Sequence, residues 1–409
     1  MARRILLALE GTLTLSTLYL LGLLLAARSA RRGAAKRSAA AAGAAPGRNL
    51  RLVVLVPAHD EEAGIAATLA ALTGAAYPQE ERRIIVIADN CGDCTASVAA
   101  AAGAEVWERT DPERRGKGHA LAWALDRVLA LDDRFDGVVF VDADCIVSAN
   151  LLAAIDARLR GGARAMQVDY VAGNPEDSSA SALRFAAFAV GDTVRFLGKE
   201  RLGLSCGLVG TGMAFTRDLL ERNPWTATGL VEDGEFHMRL VLAGERVEFV
   251  PEAQVSQAVP TSLKASSSQQ ARWEMGKLQL IRRWSGRLVL DGLLKRDPLR
   301  LHAGLECLVP PQSVIAIGNA GSALAGLLLG SRRLLGLSLF TAAAQGAFVL
   351  GGLRLVQAPA YVYRALLSAP ALILSKIGLY GRLLSGRGPT AWVRTAREPT
   401  QTAPAEVRA

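Results

Sequence analysis

Hydrophobic positions along this chain fall into three regimes. Ile5 to Ala27 is an almost unbroken apolar run with Glu10 near its start. As a helix it is about 34 Å long, enough to cross a bilayer and too long for a signal-peptide core. From Leu52 onward, short apolar runs alternate with amphipathic stretches. Long apolar stretches return at Leu308–Gly330, Leu334–Leu353 and Tyr361–Leu384. The pattern predicts an α/β domain flanked by membrane segments.

Within the middle regime the periodicity predicts strands at Leu52–Val56, Ile84–Ile87, Glu105–Trp107 and Val138–Val141. Helices are predicted at Glu61–Leu72, Thr95–Ala102 and Lys117–Leu131. Strands separated by helices imply βαβ units and a mainly parallel sheet. The last of these strands is a continuous apolar run, as in a strand buried on both faces, and leads straight into Asp142-Ala143-Asp144. Open α/β sheets bind ligands outside the carboxyl ends of their strands. Two carboxylates crowded there point to a divalent cation, because unpaired they repel. Taken alone, the segment fits an Asp-rich turn capping the next helix equally well.

Charge and cysteine usage narrow the setting. The formal net charge is +9, much of it flanking the apolar segments. No helix-turn-helix, RNA-binding or zinc-finger pattern accompanies it, so anionic lipid is the expected partner and nucleic acid is not. Arg3 and Arg4 precede the first apolar run; Arg28, Arg31, Arg32, Lys36 and Arg37 follow it. The positive-inside rule then places the α/β domain in the cytoplasm, and the chain is expected to be integral to a bacterial inner membrane. Five cysteines form no disulfide framework, which suits a reducing compartment. Cys91 and Cys94 have metal-site spacing but lack two further ligands nearby.

The expected organisation is an N-terminal span (1–27), a basic aperiodic linker (28–49), the α/β domain with an interfacial helix (50–292), a C-terminal membrane region (293–385) and a basic tail (386–409). Trp284–Arg300 reads as an in-plane helix, and Leu308–Gly330 and Leu334–Leu353 as two spans. Tyr361–Leu384 contains Arg364, Lys376 and Arg382, and Arg387, Arg394 and Arg397 follow it. Either it crosses as a third span, leaving the tail outside, or it lies in the interface or re-enters, leaving the tail cytoplasmic; charge favours the second. Gln401–Ala409 reads as disordered.

Carboxylates recur at three strand ends. The first strand leads into Pro57-Ala58-His59-Asp60-Glu61-Glu62, the second into Ala88-Asp89-Asn90-Cys91-Gly92-Asp93, and the fourth into Asp142-Ala143-Asp144. Helix caps would explain one acid each but not the clustering. A nucleotide explains it better. Asp89 could accept the imide N–H of uracil, and Asp142 with Asp144 could hold Mg²⁺ or Mn²⁺ against a diphosphate. Neither a Gly-x-Gly-x-x-Gly nor a P-loop motif is present. Arg114-Arg115-Gly116-Lys117-Gly118 offers phosphate contacts from the same edge, or is a solvated loop.

In this order and spacing, Pro57–Glu61, Asp89–Thr95, Gly116-Lys117-Gly118 and Asp142-Ala143-Asp144 resemble the family 2 glycosyltransferases. Gly210-Thr211-Gly212-Met213 looks like that family's acceptor-side loop, and Val231-Glu232-Asp233 resembles its Thr-Glu-Asp motif. Gln269-Gln270-Ala271-Arg272-Trp273 matches the Gln-x-x-Arg-Trp signature of the membrane-bound branch, which includes cellulose synthase-like, hyaluronan synthase-like and ceramide glucosyltransferase-like enzymes. The resemblance covers roughly residues 50–290. Ala122, Asp60 and Val231 depart from the common residues, which bears on the sugar bound rather than the reaction class.

The resemblance implies a GT-A fold, a Rossmann-like α/β domain with a mainly parallel sheet. It makes Asp233 the general base with Glu232 beside it, and gives donor binding to Pro57, His59, Glu61, Asp89, Lys117, Asp142 and Arg272. Acceptor binding falls to Gly210, Thr211, Gly212, Gln269 and Trp273; Asp144 and Asp142 hold the metal. The expected activity is inverting transfer of a hexose or amino-hexose from a UDP-sugar to a membrane-associated hydroxyl. A lipid acceptor fits the small number of spans. A growing glycan fits the Gln-x-x-Arg-Trp signature, and processive synthesis would then need oligomers or polysaccharide export partners. A membrane nucleotidyltransferase would share the strand-end acids and metal but not the late motifs. A non-enzymatic scaffold would not need the intact acids.

Overall fold

The computed structural model describes residues 1–41, 49–132, 134–262 and 267–385. It opens with one long helix, α1 (Ala2–Ala41). The helix continues past Ala27 into the stretch expected to be an aperiodic linker, where alanine, the strongest helix former, dominates. Residues 42–48 of that stretch, the basic tail and Gln401–Ala409 lie outside the described residues.

The middle of the chain is an eight-stranded sheet with helices on both faces. In order it runs β1 (Leu52–Ala58), α2 (Ile65–Thr73), β2 (Arg82–Asp89), α3 (Thr95–Ala101), β3 (Glu105–Arg109), α4 (Lys117–Leu129), β4 (Gly137–Phe140) and β5 (Cys145–Val147). Then come α5 (Leu151–Arg160), β6 (Ala165–Ala172), α6 (Ser179–Phe188), α7 (Val194–Arg201), β7 (Met213–Thr216), α8 (Arg217–Arg222), α9 (Glu232–Leu242) and β8 (Val247–Gln257). A π-helical turn, Ala189–Thr193, joins α6 to α7. The strand order is β3-β2-β1-β4-β7-β6-β8-β5. Strands β3, β2, β1 and β4 pair in parallel, as do β6 and β8; β7 runs against both of its neighbours and β5 against β8.

Alternate residues of β1 feed the two cores, as the period of a strand dictates. Leu52, Val54 and Val56 pack with Ile65, Leu69 and Val139 on one face; Val53 and Leu55 pack with Leu121, Leu125 and Phe140 on the other. Each such side chain contributes about 1.5–3 kcal/mol on burial. The predicted β1–β4 are all present. Strands β5 to β8 were not predicted, because Gln167 and Asp169 in β6, and Glu248, Glu252 and Gln254 in β8, interrupt the apolar runs that mark a buried strand. Helix α2 starts at Ile65 rather than Glu61, since Asp60 takes a left-handed backbone (φ 55°) and the acids after it bond a neighbouring loop.

The C-terminal part consists of α10 (Ser267–Leu280), a π-helical turn (Ile281–Ser285), α11 (Gly286–Leu294), α12 (Pro298–Cys307), α13 (Gln312–Leu328), α14 (Arg332–Leu355), α15 (Ala360–Ala365) and α16 (Ala369–Leu384). The single in-plane helix expected at Trp284–Arg300 is instead the hairpin α11–α12. Arg296 turns left-handed (φ 52°), Asp297 caps α12 and Pro298 occupies its first turn, where a missing N–H is tolerated. Among the described residues, three helices are long and apolar enough to cross a membrane: Arg3–Ala30, Arg332–Leu355 and Ala360–Arg382. Tyr361–Leu384, expected to lie in the interface, thus has the length and apolarity of a span. The expected span at Leu308–Gly330 is the shorter helix α13, which starts only after Pro310-Pro311.

Helix α1 is the seam between these parts. It packs along α14 and against α7, where a Cβ at Gly198 would lie 2.4 Å from the Leu23 carbonyl oxygen. Only glycine permits that approach.

Candidate active site

The carboxyl ends of β1, β2 and β4 open onto one cavity of about 1980 Å³, which Pro57, His59, Glu61, Asp89, Lys117, Asp142 and Asp144 help to line. Two loops at its edge are stitched together by backbone donors. Gly92 N–H donates to Asp60 Oδ1 at 2.7 Å, Glu61 N–H to Thr95 Oγ1 at 2.7 Å, and Cys94 N–H to Glu62 Oε2 at 2.9 Å. His59 Nδ1 lies 2.8 Å from the Asp89 carbonyl oxygen. Several of the strand-end acids therefore hold the loops that frame the cavity. His59, Asp60 and Cys91 also lie within 4.8 Å of one another.

Asp89 is only 5% exposed, and its Oδ1 accepts from Arg109 Nη1 at 2.5 Å and from Asn90 Nδ2 at 3.0 Å. Arg109 ends β3 directly opposite Asp89 in the parallel register. It was not among the expected site residues. The signal was legible, though: a basic residue closes the strand whose neighbour ends in the acid.

Lys117, at the start of α4, occupies the centre. Its ammonium forms an ion pair with Asp142, donates to the Gly210 carbonyl at 2.7 Å and lies 4.0 Å from Glu232. Burial pulls its pKa down, but Asp142, Glu232 and Asp233 outweigh burial and hold it above the usual lysine range. Burial pushes the Asp142 carboxyl up; Lys117 pulls it down and Asp144 pushes it up again, leaving it raised. Burial and Asp233 push Glu232 up to about 7. Burial also raises Asp233, against the Gly234 N–H that donates to its Oδ1 at 2.7 Å. A Cβ at Gly210, which has φ 89°, would lie 3.3 Å from Lys117 Nζ and 3.4 Å from Asp233 Oδ2, so both groups converge on this glycine.

Asp142 and Asp144 supply only carboxylate oxygens, and Asp142 already engages a cation, the Lys117 ammonium. This donor set fits a hard divalent ion.

Glycines fix the loop that leads into Glu232 and Asp233. A Cβ at Gly118 would lie 2.4 Å from the Ala227 carbonyl, and one at Gly276 of α10 would lie 2.4 Å from Val231 Cγ1. Helices α4 and α10 thus clamp residues 227–232 from two sides, just before Glu232 and Asp233 begin α9.

Gln269, Arg272 and Trp273 of α10 line the same cavity, with Gly210 and Thr211. Thr211 Oγ1 accepts from the Asp142 N–H at 3.1 Å. Gly212, expected on the acceptor side, does not line the cavity. Its N–H bonds Phe140, its carbonyl bonds Val168, and its φ of 64° with Val255 close by explains the glycine. Trp273 meets Phe188 edge-on at 6.2 Å, and Phe188 lies 5.0 Å from Tyr170. Beyond them the cavity reaches Asp192, Arg195, Lys199 and Glu306, none of them expected from sequence. Arg195 and Lys199 bond Glu306 at 2.7 and 3.0 Å. These four come from α7, the π turn and α12, elements whose approach no local pattern announces.

Comparisons with known proteins accord with this geometry. A probable glycosyltransferase of Bacillus subtilis (strain 168), YdaM, is 26% identical over 245 residues, 56% of each chain, so the chain spans about half the length of that relative. The mannosyltransferase PcManGT from Pyrobaculum calidifontis, solved with GDP-Man and Mn²⁺, superposes with a TM-score of 0.54 at 21% identity, covering 84% of this chain and 97% of that one; the two share the GT-A fold. Glucosyl-3-phosphoglycerate synthase from Mycobacterium tuberculosis, solved with Mn²⁺, UDP and phosphoglyceric acid, is 24% identical with a TM-score of 0.39, over 57% of this chain and 79% of that one. The family described as "Glycosyltransferase like family 2" matches residues 49–276, more than half of the sequence and most of the residues that line the cavity, and the chain belongs to that family.

Proposed function

We propose that this glycosyltransferase is an inverting, metal-dependent enzyme that moves a hexose or amino-hexose from a UDP-sugar to the hydroxyl of a membrane-associated lipid or glycan. One observation carries the reading. Asp142, Asp144, Lys117, Glu232, Asp233 and Arg272 all border one cavity that begins at the β1, β2 and β4 ends and runs on to α7 and α12.

In this reading the donor nucleotide lies along Pro57, His59, Glu61 and Asp89, with the second Asp89 oxygen facing the base while Arg109 holds the first. Asp142 and Asp144 would hold Mg²⁺ or Mn²⁺. When bound, the ion supplies positive charge to the leaving diphosphate. Lys117 and Arg272 add fixed positive charge beside it. Asp233 takes the proton of the acceptor hydroxyl, a poor nucleophile until deprotonated. Glu232 lies next to it, and its burial favours holding a proton rather than a second negative charge. Trp273 and Gln269 orient the acceptor. The GDP-Man and Mn²⁺ in the Pyrobaculum enzyme support a nucleotide-sugar donor with a metal. The three apolar helices support membrane association, with the α/β domain on the cytoplasmic side of an inner membrane.

The test uses membranes containing the full chain and a panel of radiolabelled UDP- and GDP-sugars. Sugar transfer with release of a nucleoside diphosphate supports the reading. Release of pyrophosphate would make the chain a nucleotidyltransferase. Transfer from GDP-sugars alone would overturn the donor assignment.

A further inference from the structure

Away from the cavity, the membrane helices enclose a buried polar cluster. Glu10 of α1 is 0% exposed inside the candidate span Arg3–Ala30, and neither carboxylate oxygen has a hydrogen-bond partner. Among the described residues no cation pairs with it. Three further buried oxygens share this condition: Asn319 Oδ1 and Ser322 Oγ on α13, and Ser338 Oγ on α14.

Helix register brings these groups to one depth. Helices α1 and α14 run in the same direction, with Arg3 bonded to Ser331, Thr14 to Thr341 at 2.8 Å, and Leu24 packed on Gly351. Glu10 lies one turn before Thr14, and Ser338 one turn before Thr341 on the same face, so the two fall opposite each other. Helix α13 runs the other way. Gly318 packs on Leu13, and Gly326 on Leu335, which places Ser322 between them at the depth of Glu10, with Asn319 three residues away on the same face. The three helices pack on one another.

Five oxygens at one depth, none hydrogen-bonded directly, are the arrangement of groups that share a central guest. All are hard oxygen donors, the chemistry of an alkali or alkaline-earth ion. One carboxylate supplies a single negative charge, which a monovalent ion neutralises and a divalent ion would overcompensate. Ser322 and Ser338 each carry an O–H donor, yet neither these hydroxyls nor the Glu10 carboxyl oxygens make a hydrogen bond, so direct bonding among them does not satisfy the carboxylate. A buried carboxylate in a span is costly unless something of opposite charge meets it. We propose that Glu10, Asn319, Ser322 and Ser338 form a binding site for a dehydrated monovalent cation of the sodium class. The bound ion clamps α1, α13 and α14 together. Because α1 also packs on α7, the clamp holds the bundle on which the catalytic domain sits.

The experiment measures thermal unfolding of the full chain in detergent, in chloride salts of Na⁺, K⁺, Li⁺ and N-methylglucamine at constant ionic strength. A saturable rise in Tm with Na⁺ over N-methylglucamine is expected, and Glu10→Gln should abolish it. If that variant fails to fold, Ser338→Ala keeps the charge and removes one neutral ligand; its half-saturating Na⁺ should rise about fivefold to tenfold. Identical Tm values for the wild type in all four salts would overturn the proposal. So would an undiminished Na⁺ response in Glu10→Gln or, where that variant does not fold, in Ser338→Ala. Neither variant touches the catalytic cavity, so the outcome is independent of the glycosyltransferase reading.

Discussion

The Lys117 ammonium bonds both the Asp142 carboxylate and, at 2.7 Å, the Gly210 carbonyl, tying the loop after β4 to the glycine loop before β7. One cation thus organises the acid cluster from its centre. Lys117→Met should leave Asp142 without its partner and free the Gly210 loop. Sugar transfer is expected to fall on the order of 10–100-fold, the loss of one or two charge-assisted hydrogen bonds. Lys117→Arg should recover little, because a planar guanidinium does not fit the site of a point charge. Transfer rates in membranes with each variant provide the measurement.

Asp233 and Asp142 should separate by the kind of defect they produce. Asp233→Asn removes the proposed base and is expected to cost about 10²–10⁴-fold in rate while donor binding persists. Asp142→Asn and Asp144→Asn are expected to weaken donor binding and raise the Mn²⁺ or Mg²⁺ needed for half-maximal rate. Chelation with EDTA should abolish transfer, and added Mn²⁺ should restore it. If Asp233→Asn keeps the full rate, another group is the base.

The raised carboxyls give activity and stability opposite pH slopes. Glu232 goes from the ordinary 4.5 to about 7 in the folded chain. A carboxyl raised on folding binds its proton more tightly in the folded state, so its effect favours folding at low pH and is lost as pH rises from about 4.5 through 7. Burial raises Asp233 as well, and as the proposed base it acts in its ionised form, so transfer should climb as pH rises through its titration. Glu232→Gln is expected to raise Tm at pH 8 and flatten its pH dependence. An unchanged Tm profile would show that Glu232 does not carry the shift.

The glycine clamp predicts loss of activity without loss of chemistry. Gly118→Ala drives a Cβ to 2.4 Å from the Ala227 carbonyl, and Gly276→Ala drives one equally close to Val231. Backbone opposes the first, so it should displace the 227–232 loop and Asp233 with it; a misplacement of about 1 Å can cost on the order of 10²-fold. The second meets a side chain that can turn, so its effect should be smaller. Comparing kcat for the two variants, with Tm as a control, tests the ordering.

Arg109 and Asp89 form a pair that is 6% and 5% exposed. Arg109→Met would strand a buried carboxylate and should destabilise the chain by about 3–5 kcal/mol. Adding Asp89→Leu should restore much of that stability but not donor binding. Denaturant midpoints and nucleotide binding measured on single and double variants separate the structural part of this pair from the functional part.

The residues alone determined a great deal. The apolar runs of β1, β2 and β4 are buried on both faces, and that burial wrote both their positions and the strand-end placement of Asp89, Asp142 and Asp144 into the local pattern. The 3.6-residue period placed Gln269, Arg272 and Trp273 on one helix, which is α10. Composition likewise announced the apolar helices. What the pattern did not contain was what comes from far away in the chain. Arg109 meets Asp89 only because β3 pairs with β2, and Gly212 bonds β4 on one side and β6 on the other where the chain enters β7 between them. Strands β6 and β8 escaped notice because their buried polar side chains are satisfied by tertiary partners, as Thr193 and Gln254 satisfy Asp169. The α11–α12 hairpin turned on a single left-handed residue, Arg296, that propensity does not single out. The shared depth of Glu10, Asn319, Ser322 and Ser338 follows from helix register alone. A sequence specifies what each element can bury; only the packed chain decides which charges those elements bring face to face.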